Sequence, residues 1–280
     1  MDNNWIVENL QGAFDTWNGK LTEIWSLLSE TPQHFKGGDI WDLAQSINGA
    51  LQAISYGLLI LFFAISMFKS TVNFRDFRRP EQVLRYFIRF VVAKATVTYG
   101  MELMTILFEI CAGIISTVAG NLGNFTGAAV TLPDEIKTAI GEVGFLASIP
   151  LWLVTILGSV FITVLSFVMI LTVYARFFRL YMYTALAPIP LSTFAGESTA
   201  NTGKAFLKSY LGVCMEGAVI VLACMIFSAF TNSGTPGIAN PDASAVTMVW
   251  SYLAETIFNM LVLVGLVKGA DRIIKEMMAL

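Results

Sequence analysis

Apolar positions follow two regimes along this chain. Between residues 2 and 30 they recur at three- and four-residue steps, through Trp5, Ile6, Leu10, Phe14, Trp17, Leu21, Ile24, Trp25 and Leu28. That spacing predicts one amphipathic helix, with Asp2, Glu8, Asp15 and Glu23 among its polar positions and an end at Thr31-Pro32 through Gly37-Gly38. From Ser46 onward, continuous apolar runs of about 20 residues replace the stripe, the length that crosses a hydrocarbon core. They predict spans over about 46–68, 92–118, 145–173, 210–230 and 246–267. Pro80-Glu81 is a good helix start, with proline at the first position and an acid in the first turn. No breaker follows before about Gly120, so one helix of about 60 Å is expected, with Arg85 and Arg89 in an extension beyond the lipid. Pro150 begins or kinks the third span, and a short surface helix is expected within 120–144.

The pattern is interrupted between Arg176 and Ser209. Ala187-Pro188-Ile189-Pro190-Leu191 cannot continue a helix, because each proline lacks an N–H and pushes its predecessor toward extended backbone. Broken backbone at membrane depth survives only when buried in protein or lining a wet cavity. The segment 176–209 is therefore expected to be a re-entrant or interfacial hairpin, sheltered by sister subunits or trapped solvent. The fold class predicted is all-α: about five transmembrane helices, an N-terminal amphipathic helix and this proline-broken segment. Two regions are expected, an extracellular amphipathic part over 1–45 and a helical transmembrane domain over 46–280.

Composition narrows the class. The chain is 56% hydrophobic and only 13% charged, about half the charge of a soluble domain. Alternating ten-residue segments of a membrane barrel are absent. The opening Met1-Asp2-Asn3-Asn4 lacks the basic region and apolar run of a cleaved signal. Placement of Lys and Arg sets topology. Lys69–Arg79, the Arg176–Lys208 segment and the tail with Lys268, Arg272 and Lys275 are basic, and Asp2–Asp42 is acidic. The expected orientation is N-terminus outside and C-terminus inside. An interfacial helix on an anionic leaflet usually has a basic polar face. The acidic one here points to the outer face or a partner protein, with packing on the domain's own surface as the equal alternative.

The chemistry is that of a non-enzyme. Cys111, Cys214 and Cys224 lie inside apolar runs, and His34 is the single histidine. No nucleophile–base pair and no metal-ligand spacing is present, so no catalytic, cofactor or metal residues are assigned. Gly196 through Gly203-Lys204 imitates a phosphate loop, but the glycines are seven apart and Ala205 stands where a hydroxyl would hold magnesium. Charged groups within spans carry more meaning, because they must face a bundle interior, water or a partner. Lys94, Thr98, Glu102, Thr105 and Glu109 form one stripe at helical steps, Glu216 stands alone in the fourth span, and Glu255 and Asn259 share a face of the fifth. These are candidates for a channel or subunit interface, with structural pairing as the alternative for the stripe.

Arg176, Arg179, the Ala187-Pro188-Ile189-Pro190 run and Gly203-Lys204-Ala205-Phe206-Leu207-Lys208-Ser209-Tyr210 together resemble the TrbL / VirB-six-type family. These are the polytopic inner-membrane subunits of type IV secretion and conjugation machines. The short outer loop and acidic N-terminal helix look more like the versions in Gram-positive conjugative elements. The resemblance implies a non-enzymatic structural or channel subunit in the bacterial cytoplasmic membrane. It implies a homo-oligomeric ring in the lipid bilayer, contact with secretion ATPases and with an extracellular pilus- or adhesin-like component, and DNA only as passing cargo. On that reading Arg176, Arg179, Pro188, Pro190, Lys204 and Lys208 sit at a cytoplasmic mouth. The residues alone leave a second class open, a self-sufficient ion-coupled transporter of small solutes, since such carriers also place carboxylates beside broken helices.

Overall fold

A computed structural model of the chain describes residues 4–71, 80–120, 129–232 and 244–280. The basic stretch 72–79, the glycines Gly123 and Gly127, and the loop 233–243 lie outside the described residues, and with them the orientation and flexibility expected there. The described residues contain helices and no strand. In chain order the helices are α1 (Asn4–Ser29), α2 (Asp39–Thr71), α3 (Pro80–Thr98), α4 (Gly100–Gly120), α5 (Asp134–Gly141), α6 (Phe145–Leu186), α7 (Pro188–Ser192), α8 (Ala200–Asn232) and α9 (Ala245–Met277). Five of them, α2, α4, α6, α8 and α9, are long and apolar enough to cross a membrane. Pro150 does not begin α6, which starts at Phe145 and continues through it.

The chain divides into two compact units, one built from 1–29, 116–174 and 218–270, the other from 30–115, 175–217 and 271–280. In the first unit the apolar stripe of α1 is buried, from Ile6, Leu10 and Phe14 through Trp17, Leu21, Ile24 and Leu28. Its cover is the chain's own. Trp5 meets Trp152 at 6.2 Å between ring centroids, Lys20 lies over the Phe167 ring, and the Tyr174 hydroxyl donates to Glu23 Oε1 at 2.9 Å. The rising numbers on both helices make α1 parallel to this part of α6. Phe14 meets Tyr252 edge-on at 6.4 Å, so α9 contributes as well. The alternative of packing on the domain's own surface therefore describes the apolar face of α1.

Asn18 clamps the irregular segment before α5. Its Nδ2 donates to the Val130 carbonyl and its Oδ1 accepts the Val130 N–H, both at 2.9 Å, while the Tyr252 hydroxyl donates to the Thr131 carbonyl at 3.0 Å. Asn18→Ala removes both partners of Val130 and is expected to cost about 2 kcal/mol. Asn18→Asp keeps the acceptor for the Val130 N–H and should cost less. Thermal unfolding of the purified protein ranks the two, and equal midpoints for Ala and wild type would discount the clamp.

The second unit corrects two expectations. Pro80–Gly120 is not one helix: Tyr99 is a turn residue between α3 and α4. Gln52 Nε2 donates to the Val97 and Thr98 carbonyls, at 3.1 Å each, the two that an unbroken helix would offer to residues 101 and 102. A side chain 45 residues away thus satisfies the backbone that a break would leave bare. Helical phase is retained, because the Tyr99 N–H still reaches the Ala95 carbonyl and the Leu103 N–H the Tyr99 carbonyl, both at 2.9 Å. The apolar span that results, Gly100–Val118, has 19 residues, about 28 Å of helix and close to one hydrocarbon thickness.

The second correction concerns the prolines. The break is confined to 187–199, because α6 runs past Arg176 and Arg179 to Leu186 and α8 starts at Ala200. Ala187 is helical, at φ −48° and ψ −41°, rather than extended. Pro188 and Pro190 occupy the first turn of α7, where backbone N–H groups have no intrahelical partner to lose. The short helix is closed by hydroxyls: Ser192 Oγ donates to the Ile189 carbonyl and Thr193 Oγ1 to the Pro190 carbonyl, both at 2.6 Å. Ala187, Leu191 and Ala195 are fully buried, packed with α2 and α3. The shelter that this backbone requires comes from two helices of the same chain.

Candidate functional site at the proline hairpin

Within the second unit, α6 and α8 run antiparallel on either side of the proline turn. Tyr183 faces Phe206 and Tyr210, with ring centroids 5.5 and 6.2 Å apart. One turn further from the hairpin tip, Arg179 meets Glu216. One turn further again, Arg176 reaches the backbone of Val213 and Cys214. Near the turn Tyr183 thus meets Phe206 and Tyr210, and farther from it Arg176 and Arg179 meet 213–216, as two antiparallel helices require.

Arg179 organises the charge. Its Nη2 donates to both carboxylate oxygens of Glu216 at 2.7 Å, and its Nη1 donates to Asp271 Oδ1 at 2.6 Å. Lys275 Nζ completes the cluster on Asp271 Oδ2 at 2.8 Å. Two cations and two anions alternate, so no net charge accumulates. Only 2% of the Glu216 side chain is exposed, against 28% for Arg179, so the carboxylate depends on this partner for its hydrogen bonds, with the charge of Arg176 adding to the attraction.

Arg176 is a different case. It is completely buried. Its Nε donates to the Val213 carbonyl at 3.3 Å and its Nη2 to the Cys214 carbonyl at 3.1 Å. The Phe108 and Phe177 rings lie 5.9 and 5.8 Å from its Cζ, a distance at which their negative faces stabilise a cation. Nη1 has no hydrogen-bond partner among the described residues. A Cβ on Gly217 would come within 2.7 Å of Cζ and 2.8 Å of Nη1 and Nη2, so glycine there makes the space that the guanidinium fills.

The other residues singled out from sequence fall into two groups. Lys204 and Lys208 are exposed, have no charge or hydrogen-bond partner among the described residues, and line a cavity with Arg179 and Lys275. Lys94, Glu102 and Glu109 are exposed on α3 and α4, again without a partner among the described residues. Within that stripe Thr98 bonds to the Tyr56 hydroxyl at 2.9 Å, and Thr105 donates to its own helix at the Met101 carbonyl. In the first unit Glu255 is exposed and Asn259 half-buried. The imitation phosphate loop has a packing explanation, because a Cβ on Gly203 would stand 2.9 Å from the Phe194 ring. Among the described residues no three His, Cys, Asp or Glu side chains gather as a metal site would require.

Sequence reasoning missed Gln52, Gly217 and Asp271, and gave Tyr210 no role of its own within the run that carries the resemblance. Asp271 carried a usable signal, since it stands four residues before Lys275 at the edge of an apolar run. Tyr210, whose hydroxyl donates to the Met104 carbonyl at 2.9 Å, reads in sequence as one more apolar position.

The family model described as "TrbL/VirB6 plasmid conjugal transfer like protein" matches residues 17–188, well over half of the chain. The match takes in Arg176, Arg179 and Pro188 and stops before the Gly203–Tyr210 run. No curated protein and no solved structure matches the chain.

Proposed function

The chain belongs to the TrbL/VirB6 conjugal transfer family, and from that membership we propose that it is a channel-forming structural subunit whose α3–α4 face meets water or a sister copy. As a family member it is a multi-pass inner-membrane component of a conjugal transfer or type IV secretion system, and the family is one of structural transfer-system components rather than of enzymes. The observation carrying the finer reading is Glu102 and Glu109. Both stand on the apolar span Gly100–Val118, both are exposed, and neither has a partner among the described residues. A carboxylate held toward lipid at that depth costs several kcal/mol. Water in a conduit, or a neighbouring subunit, removes that cost. Lys94 extends the same stripe, and Glu255 offers a third exposed carboxylate, within the span Ala245–Met277.

On this reading copies assemble as a ring, the N-terminus lies outside and the C-terminus inside. The proline hairpin with Lys204 and Lys208 then faces the cytoplasmic ATPases, and α1 lies on the side of a pilus- or adhesin-like component. Cysteine placed at 102, 109 and 255 tests it in cells carrying out transfer. Photo-crosslinkers attached there are expected to capture either transferred DNA or a second copy of the chain. Adducts with lipid alone at all three positions would remove both the lining and the interface role. Solute uptake by the reconstituted chain alone would favour the carrier class instead.

A further inference from the structure

We propose that the cavity at the base of α8 and α9 binds the phosphodiester headgroup of one anionic glycerophospholipid. This assignment does not rest on the channel reading, although it takes the cytoplasmic placement of Lys204 and Lys208 from the orientation proposed above. The cavity has a volume of about 780 Å³, within the range of small-molecule sites. Its lining divides by chemistry. Lys204 and Lys208 stand one turn apart on α8, with Tyr183, Asn201 and Ser209 beside them. Val213, Ile274, Ala279 and Leu280 supply apolar wall.

The cations in this wall are not equivalent. Arg179 and Lys275 are committed to Glu216 and Asp271. Lys204 and Lys208 have no partner among the described residues, and neither do the Tyr183 hydroxyl, Asn201 or Ser209. The cavity therefore presents two unspent positive charges and three uncharged polar groups, and Asp271, its one acidic lining residue, is already neutralised. That set suits a single phosphate with glycerol oxygens. The apolar wall suits the first carbons of acyl chains, which a free phosphate lacks. Basic pockets between transmembrane helices on the cytoplasmic side bind such headgroups in general. A nucleic acid would call for a track of cations at successive phosphates, and the free cations here are a single pair.

The test uses the full chain purified in detergent and exchanged into lipid discs of phosphatidylcholine with one-fifth phosphatidylglycerol of the same acyl chains. Native mass spectrometry reads the lipid retained per chain. One phosphatidylglycerol per wild-type chain is expected, with at least a tenfold lower retention for Lys204→Gln/Lys208→Gln. Both lysines are exposed and unpaired, so the variant should keep its helical circular dichroism; if it does not, the single variants are read instead. Equal retention of the two lipids, or unchanged retention in the variants, would overturn the site. Displacement by glycerol phosphate at equal concentration would make it a site for soluble phosphate. Displacement by an oligoglutamate peptide or a short oligonucleotide would make it a macromolecular one. Either displacement defeats the lipid assignment, and none of these outcomes bears on the crosslinks at residues 102, 109 and 255.

Discussion

Arg179→Ala is expected to be the most damaging single change in the second unit, at about 3–5 kcal/mol. The Glu216 carboxylate, 2% exposed, takes both of its short contacts from Arg179 Nη2. Truncation leaves a buried carboxylate without its hydrogen bonds, since Lys275 is bound to Asp271 and Arg176 is tied to the Val213 and Cys214 carbonyls. Two comparisons separate this cause from a general loss of contacts. Arg272→Ala breaks an ion pair whose side chains are 85% and 65% exposed, and such pairs contribute less than about 1 kcal/mol. Arg179→Leu/Glu216→Leu removes both charges together and should recover most of the loss, because an apolar pair of similar volume often replaces a buried ion pair at little cost. Thermal midpoints of the purified variants give the order: wild type and Arg272→Ala together, the double variant close behind, Arg179→Ala far below. A double variant as unstable as the single one would show that packing, not the unpaired carboxylate, sets the effect.

Gly217→Ala should cost about 2–4 kcal/mol, through overpacking and the loss of bonds to a charged group. A clash with the end of a long side chain is ordinarily relieved by movement. Here the guanidinium is fully buried and tied to the Val213 and Cys214 carbonyls. Moving it away from the new methyl strains both hydrogen bonds. Arg176→Met removes the clashing atoms and the charge. In the Gly217→Ala background it should therefore restore stability, and alone it should be tolerated. Detergent-resistant elution and thermal midpoints of the three variants check this. Failure of Arg176→Met to rescue would mean that the methyl clashes with helix backbone instead. If Arg176→Met folds yet abolishes conjugal transfer, the buried cation acts in the machine and not in holding the helices.

The periodicity of the sequence determined a good deal. The apolar stripe of α1, the five long apolar helices and the interruption at Pro188 and Pro190 are local properties. Hydrophobic spacing and missing N–H groups act within a few residues of themselves. The family was legible for a similar reason, since Arg176, Arg179 and the proline run lie close together in the chain. Partnership was not legible. Sequence marked Arg179 and Glu216 as separate charges, one at a mouth and one at an interface, and the antiparallel packing of α6 and α8 made them one ion pair. It foresaw no break at Tyr99, because the device that permits it is Gln52 on another helix.

Shelter for the broken backbone was likewise decided in three dimensions. A proline turn in an apolar chain announces that something must cover it, but not what. The cover proved to be α2 and α3 of the same molecule, burying Ala187, Leu191 and Ala195. Burial, pairing and the room left by Gly217 depend on side chains brought together from distant positions. Only the tertiary structure settles those, because the energies concerned arise from contact and desolvation, which short-range sequence patterns do not record.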